Sequence, residues 1–261
     1  MKQTFAGERI VAELIKKPEE IADNHFLLNI KIDNNTSVPG QFVNIRAAEG
    51  FEPMLRRPFS IFDSNKDIIS LVVRVIGKGT SLISIMEPGF INITGPAGRG
   101  FTIEDGKDVL LAGGGVGNAP LYYLMKELKK CGNRITYIYC ARGKDHVFAA
   151  DMYRNLADEF IVTTDDGSMG VKGFATDVMA DVISGEHFSR IYTCGPDPMM
   201  SKTVKLANKN IPVEVSVENY FGCGVGLCVG CTVDTVSGYK RACVEGPVMD
   251  GRKILWENMP D

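Results

Sequence analysis

Short apolar runs separated by turn residues fill the chain up to Ile103. The runs are rich in Val, Ile and Phe, and breaks such as Asp33-Asn34-Asn35 and Pro39-Gly40 divide them. Many short strands with such breaks are typical of an antiparallel β-barrel or sandwich. The predicted strands are Arg9–Ile15, Phe26–Ile32, Gln41–Ile45, Pro58–Phe62, Ile68–Val75 and Phe90–Thr94.

The pattern changes after Gly95–Gly100, a cluster of glycine and proline that predicts a domain boundary. Helical spacing follows, with apolar residues at i, i+3, i+4 and i+7, and strands and helices then alternate. Such alternation implies a parallel sheet with crossover helices. The predicted strands are Val109–Ala112, Arg134–Cys140, Phe160–Thr163, Arg190–Thr193 and Val213–Val217, and the helices are Leu121–Leu128, Asp151–Ala157, Ala175–Ile183 and Pro198–Lys209.

From Glu218 onward, glycine and cysteine dominate and the regular pattern stops. This tail is typical of a small module organised by a metal. We therefore predict three units, an α+β multidomain architecture: an antiparallel β-barrel over 1–103, a parallel α/β domain over 104–217 and a metal module over 218–261.

The composition narrows the class of protein. Apolar residues make up 44% and charged residues 23%, as in ordinary soluble globular domains, and the net charge of −3 with no long basic run argues against nucleic acid as a partner. Met1–Ile10 lacks the apolar core of a signal peptide, and no stretch reaches the roughly 18 apolar residues that span a bilayer. We predict a soluble, cytoplasmic protein without a membrane partner.

Four of the seven cysteines lie in the tail, spaced C-x4-C-x2-C-x11-C. Clustered cysteines in a cytosolic chain indicate metal or redox chemistry, and the first three spacings equal those of plant-type 2Fe–2S proteins. The glycines between them let the loop curl and turn backbone N–H groups toward the sulfurs. A four-cysteine zinc site is the alternative, although zinc sites more often use two C-x2-C pairs. The predicted ligands are Cys223, Cys228, Cys231 and Cys243.

Two further motifs fit phosphate-bearing ligands. Pro58 forces Arg57 into an extended conformation, in which its planar fork can meet a pyrophosphate, and Ser60 lies close enough to bond an isoalloxazine ring. Gly79 and Thr80 could open a helix whose free N–H groups bind phosphate.

A second glycine-rich loop, Gly113–Gly117, lies between a predicted strand and helix. It is not a G-x-G-x-x-G fingerprint, because Asn118 occupies the last position, yet its glycines permit close backbone approach to a dinucleotide pyrophosphate. Arg142, after the next strand, favours a 2′-phosphate on the ribose. Asp165 and Asp166 follow another predicted strand, and they could as easily belong to a solvated turn as to the dinucleotide site.

The order of R-P-F-S, G-K-G-T and a glycine-rich loop after a strand resembles the ferredoxin–NADP reductase superfamily, which pairs a flavin-binding barrel with a nicotinamide-binding α/β domain. With the cysteine module, the chain is similar to the electron-transfer subunits of class 1B dihydroorotate dehydrogenases. The stretches that carry this resemblance are Leu55–Ile61, Leu111–Pro120, Cys194–Met199 and Gly222–Pro247.

The resemblance implies FAD, a 2Fe–2S cluster and NAD(H) rather than NADP(H), with the loop after Cys194 beside the nicotinamide. From it we take the catalytic candidates Cys194 and Glu218; a buried, structural role suits Cys194 equally. The implied FAD-binding residues are Arg57, Pro58, Phe59, Ser60, Val72, Val73, Arg74, Gly79 and Thr80, and the implied NAD-binding residues are Gly113, Gly114, Gly115 and Gly117.

NADH delivers two electrons together, whereas an iron–sulfur cluster accepts one at a time. A flavin can accept two electrons and pass them on singly, so the chain is predicted to convert two-electron transfer into one-electron transfer. By resemblance, its partner is an FMN-containing catalytic subunit that oxidises dihydroorotate in pyrimidine biosynthesis, two of each chain forming a heterotetramer. Small reductase subunits of sulfide dehydrogenases and bifurcating transhydrogenases share the layout. A zinc-organised binding module remains the alternative of another class.

Overall fold

A computed structural model of the protein describes residues 9–50, 52–185 and 187–259. The prediction that the chain lacks a signal peptide concerns Met1–Ile10, and residues 1–8 of this segment lie outside the described range. Among the described residues, no helix is both long enough and apolar enough to cross a bilayer.

The N-terminal part is an antiparallel barrel, as predicted. Its strands follow the order β1-β7-β4-β5-β6-β3-β2, and β1 also pairs with β3, so that six strands close on themselves. Along β3, Leu28, Ile30 and Ile32 point into a core that excludes water almost completely. The elements are β1 (Arg9–Leu14), β2 (Glu19–Ala22), β3 (His25–Ile32), β4 (Phe42–Ile45), β5 (Arg57–Asn65), β6 (Ile68–Arg74), α1 (Lys78–Ser84) and β7 (Gly89–Ala97).

The second part is a parallel sheet with helices, also as predicted. Its strand order is β11-β10-β9-β8-β12-β13-β16. After β8, the chain first adds β9 and the strands beyond it on one side of β8, and it later adds β12 on the other side. Ligands of open α/β sheets bind at such switch points, at the carboxyl ends of the strands. The elements are β8 (Asp108–Gly114), α2 (Ala119–Lys130), β9 (Arg134–Ala141), α3 (Ala150–Arg154), β10 (Glu159–Thr164), β11 (Val171–Lys172), α4 (Ala175–Gly185), β12 (Arg190–Cys194), α5 (Asp197–Leu206) and β13 (Val213–Ser216).

The tail contains more regular structure than its sequence pattern indicates. A two-stranded ribbon, β14 (Thr232–Val233) and β15 (Lys240–Arg241), follows the cysteine loop. The next strand, β16 (Val248–Asp250), pairs antiparallel with β13 and becomes the edge of the α/β sheet. The boundary at residue 218 remains our proposal. The C-terminal module is not separate from the α/β domain, because its strand β16 joins the sheet of that domain.

Direct contacts hold the three parts together. Lys126 on α2 lies 2.5 Å from the carboxylate of Asp63 on β5, and the backbone N–H of Arg99 donates to the carbonyl of Gly246 over 2.6 Å. Phe42 of the barrel packs on Phe221 at the start of the cysteine loop, with ring centroids 4.9 Å apart. The flavin-type motifs, the glycine loop and the cysteines are therefore parts of one packed assembly.

Candidate functional site

A cavity of about 550 Å³ lies between the barrel and the carboxyl ends of the parallel strands. His25 and Arg74 line it from the barrel, whereas Gly114–Val116 and Gly195 line it from the loops after β8 and β12. Its position at the switch point between β8 and β12 is where an α/β sheet binds a dinucleotide.

The glycines of the loop after β8 meet different steric demands. A Cβ on Gly117 would lie 2.6 Å from the carbonyl of Cys194, and one on Gly114 would lie 2.9 Å from Met199 Sδ. Gly115 has open space around it and a left-handed φ of 56°, a conformation that suits glycine. Close packing at Gly114 and Gly117 therefore fixes the loop on one side. At Gly115 no atom blocks the side of the loop that faces the cavity.

Asn118 explains how the loop works without the third glycine of the usual fingerprint. Its side chain is fully buried, and its Nδ2 donates to the carbonyls of Gly115, over 2.8 Å, and Cys140, over 3.2 Å. Its Oδ1 accepts from the hydroxyl of Tyr137 over 2.9 Å. The hydroxyl of Tyr153 donates to the Asn118 carbonyl, also over 2.9 Å. These four bonds tie the loop to β9 and to a buried aromatic core.

We expect Asn118→Asp to weaken NADH binding as well as the fold. The substitution removes two donated hydrogen bonds and turns a buried carboxylate toward two carbonyl oxygens, which costs about 2–4 kcal/mol. A suitable control is Asn133→Asp, because Asn133 is nearly as buried and donates to two carbonyls away from the cavity. Both variants should melt earlier, but only Asn118→Asp should raise KM for NADH. An equal KM effect in the two would contradict this role for the asparagine.

Cys194 and Glu218, the two catalytic candidates, lie at the ends of neighbouring strands but in different environments. The Cys194 thiol is only 2% exposed, and its burial, together with the nearby Glu218 carboxylate, raises its pKa well above the usual range. Glu218 lines the cavity. Desolvation by the surrounding protein raises its pKa, Asp197 adds to this shift, and Arg74 opposes it. Glu218 thus lies on the cavity wall, whereas the Cys194 thiol is buried beneath the surface and held neutral.

Two charged residues stand at the far side of the cavity. Arg142 follows β9 and Asp165 follows β10, and both line the wall. A carboxylate there suits a ribose 2′-hydroxyl and repels a 2′-phosphate, which offsets the preference that Arg142 alone indicates. Phe174 also lines the cavity, and no motif in the sequence indicates its position there or the buried hydrogen bonds of Asn118.

The predicted flavin residues meet on the barrel. A Cβ on Gly79 would lie 2.6 Å from Arg57 Nε, so the guanidinium lies flat against the start of α1. Arg57 Nη1 donates to the carbonyl of Leu55 over 2.5 Å, and Arg57 and Ser60 are both half-buried at one end of β5. The fork is therefore preorganised at the surface of the barrel, where it can meet a phosphate.

Other members of the predicted flavin set contribute backbone or turn structure. The side chains of Val72 and Val73 on β6 are buried in the cores, so any contact with a ligand would come from their backbone. The Thr80 hydroxyl accepts from the N–H of Ile76 over 2.9 Å and donates to the carbonyl of Gly77 over 3.0 Å. Thr80 thus shapes the turn before α1. Pro58 and Phe59 are half-buried on β5 beside Arg57.

The four tail cysteines form two pairs. Cys223 and Cys228 are neighbours, because the backbone N–H of each donates to the sulfur of the other over 3.3–3.4 Å. Burial raises the pKa of the Cys243 thiol, and Cys231 lies close enough to raise it further. A tetrahedral zinc ion takes four ligands at one point, whereas a 2Fe–2S cluster spreads its four thiolates over two irons. The two pairs fit the cluster.

Backbone N–H groups surround the first pair of sulfurs. Cys223 Sγ accepts from the N–H of Val225, Leu227 and Cys228 over 3.3–3.4 Å. Although partial burial opposes it, this set of donors lowers the pKa of Cys223 to about 6. The loop is therefore shaped to stabilise a thiolate, the form that binds iron.

An exposed apolar surface borders the cysteine loop. We call it the cluster rim and define it by Tyr220, Leu227 and Val229; Leu227 is 84% exposed. Cys228 lies within it and is exposed as well. Val229 has a φ of 49°, which is rare for a β-branched residue and is typical of functional sites. Exposed apolar surfaces of this kind are typical of contact sites for other proteins.

Family comparisons agree with this geometry. Residues 218–255 match the model described as the iron–sulfur cluster binding domain of dihydroorotate dehydrogenase B, and residues 111–205 match the oxidoreductase NAD-binding domain. The solved structure of the NADH-dependent reduced ferredoxin-NADP oxidoreductase, an enzyme of flavin-based electron bifurcation, contains a chain 34% identical to this one. Its TM-score is 0.84, and the match covers 94% of this chain and 90% of that one.

The fold, the cavity and the cysteine loop thus define an iron–sulfur oxidoreductase of the ferredoxin–NADP reductase type. The electron transfer subunit of dihydroorotate dehydrogenase B (NAD(+)) from Clostridium acetobutylicum is 38% identical over 259 residues, 98% of this chain and 99% of the relative. Its counterpart from Desulforamulus reducens is 40% identical over 231 residues, 85% and 88% of the two chains. The chain belongs to the family of electron transfer subunits of dihydroorotate dehydrogenase B.

Proposed function

We propose that this chain carries electrons between NAD(H) and a catalytic subunit that oxidises dihydroorotate, in pyrimidine biosynthesis. It uses FAD and a 2Fe–2S cluster. The family membership and the two family models support this function over a zinc-organised binding module.

One observation carries the proposal. Glu218, the second residue after β13, lies in the wall of the cavity, and the first cysteine of the loop, Cys223, follows five residues later. Arg74 of the barrel lines the same cavity. A flavin domain, a dinucleotide loop and a cluster loop therefore meet within one short stretch of chain.

When bound, the cofactors supply hydride exchange with NAD(H) and single-electron transfer. The residues of the chain provide binding and orientation. Arg57 would hold the flavin pyrophosphate, and the loop from Gly113 to Gly117 would hold that of the dinucleotide. Glu218, whose pKa is raised by desolvation in the cavity wall, would face the nicotinamide. The neutral Cys194 thiol lies in the core beneath the same site, so it would add no charge there.

The cluster rim is the surface that we assign to the partner. Leu227 and Val229 are exposed on either side of Cys228, and electron transfer requires the partner to approach the cluster closely. We propose an FMN-containing dihydroorotate dehydrogenase subunit at this surface, with two copies of each chain in the assembly and the complex in the cytoplasm.

The likeness to the bifurcating enzyme favours a second candidate. That chain is 34% identical to this one and matches it along nearly its whole length, so the same converter can serve a different catalytic partner. The curated relatives, at 40% and 38% identity, favour the dihydroorotate partner.

Reconstitution tests the proposed function. The purified chain, with FAD and cluster, should reduce artificial acceptors with NADH and leave dihydroorotate untouched. Adding the FMN-containing catalytic subunit of a class 1B dihydroorotate dehydrogenase should produce NAD⁺-linked oxidation of dihydroorotate. Oxidation of dihydroorotate by the chain alone would contradict the division of labour. A colourless protein that contains zinc would instead support the binding module.

A further inference from the structure

Arg241 on β15 connects the cysteine loop to the turn that carries the last cysteine. Its Nη1 donates to the carbonyl of Gly226 over 2.9 Å. Its Nε and Nη2 donate to the two carboxylate oxygens of Glu245 over 3.1 and 2.7 Å. The planar guanidinium is therefore held on two sides, by the turn that contains Cys243 and by the cysteine loop.

A closed turn fixes the anchor of this guanidinium. The backbone N–H of Arg241 donates to Glu245 Oε2 over 2.8 Å, and the Arg241 carbonyl accepts from the N–H of Glu245, also over 2.8 Å. Cys243 lies within this turn. The N–H of Ala242 donates to the carbonyl of Cys231 over 2.9 Å, which ties the turn to the end of the cysteine loop. Arg241 thus approaches Gly226 from a rigid support.

The carbonyl that Arg241 holds belongs to the same peptide group as an N–H that faces a predicted ligand sulfur. The Gly226 oxygen accepts from the guanidinium, and the next N–H along the chain, that of Leu227, donates to Cys223 Sγ over 3.3 Å. In a trans peptide the C=O and N–H bonds share one plane and point in opposite directions. A guanidinium fixed on the oxygen therefore also fixes the direction of the N–H.

Charge adds to this effect of geometry. A cation at a carbonyl oxygen polarises the peptide group and strengthens the hydrogen bond that its N–H donates. Hydrogen bonds from N–H groups to the sulfurs favour the reduced, more negative cluster and so raise its reduction potential. Only glycine fits at position 226, because φ is 83° there and a Cβ would lie 2.6 Å from Val244 Cγ2.

We propose that Arg241 is a positioning residue that raises the reduction potential of the cluster, because it holds the Gly226–Leu227 peptide with its N–H on the Cys223 sulfur. This inference rests on the proposed function, since it presumes a 2Fe–2S cluster on the four cysteines. Arg241 would thereby adjust how readily the cluster accepts an electron and passes it on.

The test is a redox titration of the holoprotein, in which the electron paramagnetic resonance signal of the reduced cluster is followed against potential. We expect Arg241→Gln to favour the oxidised cluster about tenfold, which lowers the midpoint potential by about 59 mV for a one-electron couple. Arg241→Lys keeps the charge but loses the planar fork, so its potential should fall by less. Iron and acid-labile sulfide should stay at about two of each per chain in both variants.

Arg252→Gln is the matched control. Arg252 also lies in the C-terminal module, and its Nη2 donates to the backbone carbonyls of Ala207, Asn208 and Ile211 over 2.6–3.3 Å, outside the cysteine loop. Both glutamine variants lose hydrogen bonds to backbone carbonyls and should melt earlier. Only Arg241→Gln should shift the midpoint potential.

A midpoint potential of Arg241→Gln equal to that of the unaltered protein, or an equal shift in Arg252→Gln, would overturn the proposal. If Arg241→Gln assembles no cluster, Arg241→Lys decides, because an unchanged potential in that variant would overturn the proposal as well. An unaltered protein that shows no 2Fe–2S signal after reduction would instead contradict the proposed function.

Discussion

Cys228→Ser is expected to abolish electron transfer to the partner while leaving reduction of artificial acceptors by NADH largely intact. Cys228 Sγ accepts from the N–H of Cys223 over 3.3 Å and of Gly230 over 3.5 Å, so it belongs to the thiolate set of the loop. A serine hydroxyl is a far weaker ligand for iron than a thiolate. Iron and acid-labile sulfide, about two of each per chain in the unaltered protein, should fall toward zero.

The exposure of Cys228 makes this variant informative, because its side chain contributes little to the core. Cys131→Ser is the matched control: Cys131 lies at the end of α2, outside the cluster module. It should keep its iron, its sulfide and its activity with the partner. Partner reduction by Cys228→Ser at the unaltered rate would show that the cluster is not on the route.

Arg57→Ala is expected to weaken FAD binding about ten- to a hundredfold, because it removes a charge-assisted contact worth roughly 1.5–3 kcal/mol. The guanidinium lies against Gly79 at the start of α1, where it can meet a phosphate. Titration of the apoprotein with FAD, followed by flavin fluorescence, measures the change.

Two further variants show whether the loss of FAD affinity comes from the guanidinium of Arg57. Arg57→Lys keeps the charge but loses the planar fork, and it should bind FAD with intermediate affinity. Arg46→Ala removes a barrel arginine that also donates to backbone carbonyls, those of Ala48 and Glu49, but lies outside the predicted flavin set. Its affinity for FAD should be unchanged. Equal losses in the Arg46 and Arg57 variants would indicate a general effect on the barrel.

Local patterns predict most of the fold because most strands are apolar and end at turn residues. The strands that the pattern misses lack this signal. In β2, Glu19 and Glu20 are exposed and only Ile21 and Ala22 are partly covered. The short strand β11 has two exposed residues. The pairing of β16 with β13 joins segments about thirty residues apart, and nothing in the periodicity of either predicts it.

The features of the candidate site also divide into those that local sequence patterns predict and those that they do not. Cysteine spacing and glycine loops are local, so the sequence reveals them. The burial of Cys194, the four hydrogen bonds of Asn118 and the place of Phe174 on the cavity wall depend on which strands become neighbours. Such features follow from tertiary pairing and have no signature in the spacing of residues along the chain.

The return of β16 to the α/β sheet has a consequence for how the protein is made. During synthesis β13 leaves the ribosome before the cysteine loop, and β16 begins five residues after Cys243. The outer edge of β13 therefore stays open until all four cysteines have been translated, and an open edge invites pairing with other chains. The strand that follows the last cysteine is the one that covers this edge, so β13 is protected from pairing with other chains only once the whole cysteine loop has been made.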